Sequence, residues 1–287
     1  MDSYIYIKGV IGLQEIQGDL FTVSTLRADF EALGVKPGMA LMLHSSMKSL
    51  GGWVAGGSVA VISALEEVLT PQGTLVMPTH TPDLSDPSIW KCPPVKPSWW
   101  EPIMESMPAF DVDLTPCPDM GVIPDNFRKQ KGARRSQHPQ VSFAAWGYHR
   151  DYIVSEHSLE HSLGEESPLA RLYDLNGWVL LLGVGHDHNT SLHLAEYRAN
   201  YPNKQMTENK APIILNDERR WVAYADLDFD SDDFEQIGSE FENETESARR
   251  GRIGNATALL MPVKELVDYG VQWMERHRGT AATDCGV

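Results

Sequence analysis

Three cysteines in 287 residues, Cys92, Cys117 and Cys285, are too few for a disulfide framework and show no zinc-binding spacing. A small stapled secreted scaffold is thereby excluded, and a reducing, cytoplasmic home is expected. No run of about 18 apolar residues occurs, so no membrane-spanning helix is expected. The N-terminus, Met1-Asp-Ser-Tyr-Ile-Tyr-Ile-Lys8, has no basic flank ahead of an apolar run, and no secretory signal is read there. Basic residues are scarce: 24 Lys and Arg face 40 Asp and Glu, a net charge of −16. Phosphate backbones and anionic lipids would be repelled, which argues against nucleic acid and membrane partners. A cationic ligand would be attracted, the more so because the acids cluster at Asp226, Asp228, Asp230, Asp232 and Asp233 and again at Glu240, Glu242, Glu244 and Glu246. Catalytic signatures are also missing. There is no phosphate-binding P-loop, no Rossmann fingerprint, no Gly-x-Ser-x-Gly elbow and no His-Glu-x-x-His. Cys92 and Cys117 lie in a Pro-rich segment and Cys285 lies near the end, so no cysteine is placed as a nucleophile.

What is present is a globular chain, 42% hydrophobic, with strands and helices in alternation. Ser24–Gly34 reads as an amphipathic helix closed by its glycine. Met39–Leu43 is an apolar strand that leads into His44-Ser-Ser-Met-Lys-Ser-Leu-Gly51, a hydroxyl-rich loop. A helix over Val59–Leu69 and a strand over Thr74–Met77 complete a parallel α/β unit. By its chemistry alone, the loop serves equally as a phosphate cradle or as an ordinary strand-to-helix connection. Residues 81–118 are rich in proline and tryptophan without a period, and read as a long ordered loop covering a site. Further on come a helix over Met120–Gln130, a strand over Ala144–Gly147, and a helix started by Ser167-Pro168. Ala211–Leu215 and Arg220–Tyr224 flank a turn as a hairpin. Helices follow over Asp232–Glu246 and from Met261 to His277. With no repeat and no linker, residues 1–277 are expected to form one α/β domain, and residues 278–287 a loose tail.

The chain is organised around Val179–Arg198. An apolar strand, Val179–Leu182, turns at Gly183 and Gly185 into His186-Asp-His-Asn-Thr190, and a helix then carries His193 in its first turn. Ligands of α/β proteins sit where strands end in such loops. His193 is a candidate general base, since an imidazole accepts protons near neutral pH. His186 and His188 invite a metal reading, but their spacing matches no zinc pattern. A base histidine gains from a carboxylate on its other nitrogen. Glu196 is near in sequence and Asp226 and Asp228 end a strand; spacing alone does not choose among them.

Five stretches in order, His44–Gly51, Thr74-Leu-Val-Met-Pro-Thr79, Arg135-Ser-Gln-His-Pro-Gln-Val-Ser-Phe143, Gly164-Glu-Glu-Ser-Pro168 and Leu181–Glu196, resemble the aminoglycoside 3-N-acetyltransferase family, the antibiotic N-acetyltransferases. The resemblance spans roughly Leu26–Leu260. It implies a three-layer α/β sandwich with a mainly parallel central sheet and an inserted substrate-binding part, rather than the GCN5-related acetyltransferase fold. It also implies acetyl transfer from acetyl-coenzyme A to the 3-amino group of a 2-deoxystreptamine aminoglycoside, without a metal. His193 is then the base, with Asp226 first and Asp228 second as its orienting acid, and Thr190 lies near the thioester. Coenzyme A falls to His44, Ser45, Ser46, Lys48, Ser49, Gly51, Ser142 and Phe143, aided by Arg134 and Arg135. Substrate contacts are expected from Asp83, Asp187, Asn189, Glu196 and Glu240. Two departures, His157-Ser-Leu-Glu160 and Glu166, bear on substrate range rather than on the reaction. Another amine as acceptor, a non-catalytic binding role and a homodimer remain the alternatives.

Overall fold

The computed structural model describes residue 15 and residues 17–279. Cys285, the N-terminal octapeptide and residues 280–287 of the expected tail lie outside the described residues. In order, the chain forms β1 (Leu20–Phe21), α1 (Val23–Leu33), β2 (Ala40–Ser45), β3 (Trp53–Val54), α2 (Gly57–Leu69), β4 (Thr74–Pro78), α3 (Trp100–Ser106) and α4 (Val122–Phe127). There follow β5 (Arg134–Arg135), β6 (Phe143–Gly147), α5 (Arg150–Val154), α6 (Pro168–Asp174), β7 (Trp178–Leu182) and α7 (Ser191–Arg198). The last elements are β8 (Met206–Leu215), β9 (Glu218–Leu227), α8 (Phe234–Glu244), β10 (Arg249–Ile253), β11 (Ala256–Pro262) and α9 (Val263–His277).

A seven-stranded sheet of order β10-β11-β7-β2-β4-β6-β5 is the centre. Successive residues of a strand point to opposite faces. Leu41, Leu43, Leu75, Met77, Leu180 and Leu182 therefore enter one core with α1, α2 and α4. Met42, Val76, Val179, Leu181 and Met261 enter a second core with α6, α7, α8 and α9. Covering both faces explains why these strands read as unbroken apolar runs. The expected parallel arrangement holds for β7, β2 and β4, while the pairs further out are antiparallel. The sheet is thus mixed, with its parallel part in the middle.

Local signals set the helix ends. The Thr22 side chain accepts from the Thr25 amide, Leu26, Phe30 and Leu33 form the buried stripe of α1, and Gly34 closes it at φ 105°. The Ser167 hydroxyl accepts from the Leu169 amide to start α6. The β8–β9 hairpin is a separate two-stranded sheet, turned at Asn216 and Asp217, both left-handed.

Two expectations are corrected. Residues 81–118 contain the short helix α3 and pack on the hairpin: the Phe110 amide donates to the Pro212 carbonyl at 2.9 Å and Trp221 Nε1 to the Met104 carbonyl at 2.6 Å. They do not cover the cleft described below. The tail does not begin at 278 either, because Arg278 is held between Glu196 and Asp233 at 2.7 and 2.6 Å. The polar stretch Arg249–Ile253 escaped notice because it is an edge strand with little apolar content.

Candidate active site

The three parallel strands end on one edge of the sheet, and their loops line a cleft of about 910 Å³. From β2 come His44, Ser45, Ser46 and Lys48; from β4, His80; from the segment after β7, Gly183, Asp187, His188, Thr190 and His193. Asp119 and the first residues of α4 close the far wall. The crevice between β2 and β7 is where such sheets bind ligands, because chain connections leave their common edge in opposite directions there.

His193 sits in the first turn of α7 with its ring between Phe229 and Phe234, at centroid distances of 5.0 and 4.8 Å. Its Nδ1 lies 2.5 Å from Glu196 Oε2, three residues along the same helix. The Glu196 side chain is fully buried. Its second oxygen, Oε1, accepts from Arg278 Nη1 at 2.7 Å and from the Asp230 amide at 3.1 Å. A carboxylate on Nδ1 fixes the tautomer and leaves Nε2 as the nitrogen that exchanges protons.

The orienting acid expected first, Asp226, is elsewhere. Its carboxylate accepts from the Ser162 hydroxyl at 2.5 Å, the Ser162 amide at 3.2 Å and the Tyr197 hydroxyl. Asp228 lines a separate shallow cavity with Tyr201, Lys204 and Arg278. Proximity along a helix brought Glu196 to His193, whereas the Asp226 carboxylate is taken up by Ser162 and Tyr197.

Among the residues expected to hold coenzyme A, His44, Ser45, Ser46 and Lys48 line the cleft. Ser49 braces the loop instead, donating to the Gly183 carbonyl at 2.9 Å, and Gly51 turns the chain at φ 67°. Ser142 and Phe143 are buried and do not line the cleft, Phe143 packing edge-on behind His80 at a centroid distance of 5.2 Å. Ser142 bonds the Thr79 carbonyl at 2.8 Å and receives Arg135 Nε at 2.9 Å. Arg135 directs its other donors to the Thr79 and Thr115 carbonyls, and Arg134 pairs with Asp151 at 2.9 Å. The stretch from Arg135 to Phe143 is scaffold in this structure. Among the described residues that line the cleft, Lys48 is the one lysine or arginine.

Of the residues expected at the substrate, Asp187 lines the cleft and meets His188 Nδ1 at 2.8 Å. Glu196 reaches it through His193. Asn189 is buried behind the loop, where its side chain accepts from the Ser191 amide at 3.3 Å. Glu240 faces α9 and accepts from Trp273 Nε1 at 2.6 Å. Asp83 is exposed and is not among the lining residues. His186 turns into the protein to meet Glu242 at 3.1 Å, so it and His188 do not converge. Among the described residues, no three His, Cys, Asp or Glu side chains form a metal-holding group.

His80 went unnoticed in the sequence, although it follows an apolar strand just as His44 does. Burial, with repulsion from His188 and His193, holds His44 down at about 3; burial, with His193 and His44 nearby, does the same to His80. Both rings are therefore neutral near pH 7. Among the described residues, their buried Nε2 atoms and the Ser45 hydroxyl have no hydrogen-bond partner.

A carboxylate-held histidine opening onto a large cleft at the carboxyl ends of parallel strands is the arrangement of an α/β enzyme. The chain belongs to the aminoglycoside 3-N-acetyltransferase family, whose model matches residues 42–275. It is 44% identical over 253 residues to the SPbeta prophage-derived aminoglycoside N(3')-acetyltransferase-like protein YokD of Bacillus subtilis, covering 88% of this chain and 92% of that one. The crystal structure of YokD superposes with a TM-score of 0.88, over 91% of this chain and 96% of that one, at 42% identity. Aminoglycoside N(3)-acetyltransferase III of Pseudomonas aeruginosa is 34% identical, with 88% and 93% of the two chains covered. The structure of AAC-IIIb as a binary complex with CoASH superposes with a TM-score of 0.81 at 30% identity, covering 91% and 99%.

Proposed function

We propose that this protein transfers the acetyl group of acetyl-coenzyme A to the 3-amino group of a 2-deoxystreptamine aminoglycoside, directly, with both substrates bound. The observation that carries this reading is the His193–Glu196 pair opening onto the cleft. An ammonium is not a nucleophile, so the acceptor must attack as the free amine. Its nitrogen forms the amide bond to the thioester carbonyl carbon while His193 Nε2 takes up the nitrogen's proton. The C–S bond then breaks, and the thiolate recovers that proton from the imidazolium. Glu196 stabilises the transient imidazolium without itself being protonated. Thr190, on the cleft wall, is assigned to the thioester carbonyl, and Ser45, Ser46 and Lys48 to coenzyme A.

Several features support the assignment. The cleft volume is at the upper end of the range for small-molecule sites, which suits two substrates. Among the described residues no cysteine lines it, and direct transfer needs no acyl-cysteine relay. The net charge of −16, with Asp119 and Asp187 at the cleft, favours a polycationic acceptor. Relatives of the same fold bear the name of this activity, and one was solved with CoASH. Thiol release from acetyl-coenzyme A, measured with and without a panel of 2-deoxystreptamine drugs, tests the reading. Drug-dependent release that vanishes in His193→Ala, with the 3-N-acetyl product identified by NMR, is expected. Release with other amines but with none of the drugs would overturn the substrate assignment.

A further inference from the structure

Arg278 stands one residue past α9 and reaches back under the candidate base. Nη1 meets Glu196 Oε1 at 2.7 Å and the Tyr201 hydroxyl at 3.1 Å, and Nη2 meets the Asp230 carbonyl at 2.7 Å. Nε and Nη2 grip Asp233 at 2.7 and 2.6 Å. The Arg278 side chain is 9% exposed and the Glu196 side chain it shares with His193 is 0% exposed. Nothing about this residue follows from a tail at the end of a helix.

We propose that Arg278 is a positioning residue for His193: its guanidinium fixes the Glu196 carboxylate that holds the ring and offsets part of that carboxylate's charge. The inference rests on His193 acting as the base. A buried carboxylate 2.5 Å from an imidazole favours the charged form of the ring over the free base. A cation on the carboxylate's other oxygen opposes this, and Asp233 in turn tempers the cation. The remaining groups around the cluster are few. Lys204 lies close enough to feel both Glu196 and Arg278, Tyr201 and Asp230 are neighbours of Arg278, and Asp228 shares their shallow cavity. Across the cleft, His44 and His80 are neutral near pH 7. Phe229 and Phe234, which flank the ring, carry no charge.

The test is an NMR titration of His193 in the full chain with labelled histidine, in the wild type, Arg278→Gln, Arg278→Lys and Asp233→Asn. Removing the cation raises the proton affinity of His193 by about tenfold, one pKa unit, in Arg278→Gln. Arg278→Lys keeps the charge and titrates within a few tenths of the wild type. Asp233→Asn shifts His193 in the opposite direction, downward. The acid limb of kcat/KM for acetyl transfer moves with each titration, while KM for acetyl-coenzyme A stays put. A merely structural role would loosen both neutralised variants alike. Equal titration in Arg278→Gln and wild type, or same-direction shifts in Arg278→Gln and Asp233→Asn, overturns the proposal. Should Arg278→Gln not fold, Arg278→Lys and Asp233→Asn still decide it, by an unmoved titration in the first and a downward one in the second. Absence of acetyl transfer by the wild type would count against the function, and the titrations would still decide the electrostatics.

Discussion

The Ser49 hydroxyl donates to the Gly183 carbonyl at 2.9 Å, joining the loops after β2 and β7 across 134 positions of sequence. Gly183 is left-handed at φ 67°, and a Cβ there would stand 2.3 Å from that of Ser49. Both strain and overlap therefore oppose any side chain. Gly183→Ala is expected to lose roughly 2–4 kcal/mol of stability, and Ser49→Ala about 1 kcal/mol. Thermal melts of the two variants check the ranking. A Gly183→Ala protein that melts with the wild type would mean that the two loops are not clamped together.

His193→Ala and Glu196→Gln separate the base from its holder. Loss of the base costs roughly 10²–10⁴ in kcat. Glu196→Gln costs a comparable factor and leaves KM for acetyl-coenzyme A unchanged, because the amide oxygen stays with Arg278 and the Asp230 amide while its NH2 faces Nδ1 and puts the ring's proton on the wrong nitrogen. Steady-state kinetics with a drug that the wild type acetylates measures both. Full activity in Glu196→Gln would remove the dyad from the mechanism.

Much of this arrangement could be read from the sequence, for identifiable reasons. The strands β2, β4 and β7 are apolar runs because both faces are covered, and the loops at their ends hold the polar residues that form the cleft. His193 was legible as the first histidine of a helix behind such a loop. The partner acid was not, because only coordinates distinguish Asp226, one strand away and bonded to Ser162, from Glu196, three residues along the helix. Ser142 and Arg135 have the composition of a binding motif, yet their polar atoms are consumed by Thr79 and backbone carbonyls. The grip of Arg278 on α7 and α8 depends on where α9 ends in space, which periodicity does not encode.

Asp226 anchors the wall behind the base rather than the base. Replacing it with alanine leaves the Ser162 and Tyr197 hydroxyls without their acceptor in a buried site. Unpaired buried groups of this kind cost about 1–3 kcal/mol. Asp226→Ala is expected to lower the urea midpoint while kcat/KM at 25 °C falls less than the His193 variant by at least tenfold. A loss of kcat equal to that of His193→Ala, in a protein of wild-type stability, would restore Asp226 to the catalytic apparatus.

Acid should unfold the protein through its buried histidines. Burial holds His44 and His80 down at about 3 and His138 at about 4, and depresses His157 well below 6.5. In the unfolded chain these rings take up protons at the ordinary value, so between about 6.5 and those lower values the unfolded state binds more protons. Their contribution to stability is complete above pH 6.5 and is lost as pH falls toward 3. Each ring adds up to about 1.4 kcal/mol per pH unit to the slope. Urea unfolding at pH 7.5, 6 and 5 should show stability falling ever more steeply, before most carboxylates titrate. His157 lies outside the cleft, bonded to Ser136 at 2.9 Å and to the Ser162 carbonyl at 2.6 Å. His157→Gln should therefore flatten the slope by about one ring's share while lowering stability at pH 7.5. Equal stability at pH 7.5 and pH 5 would mean that these rings are charged, or reached by water, in the folded protein.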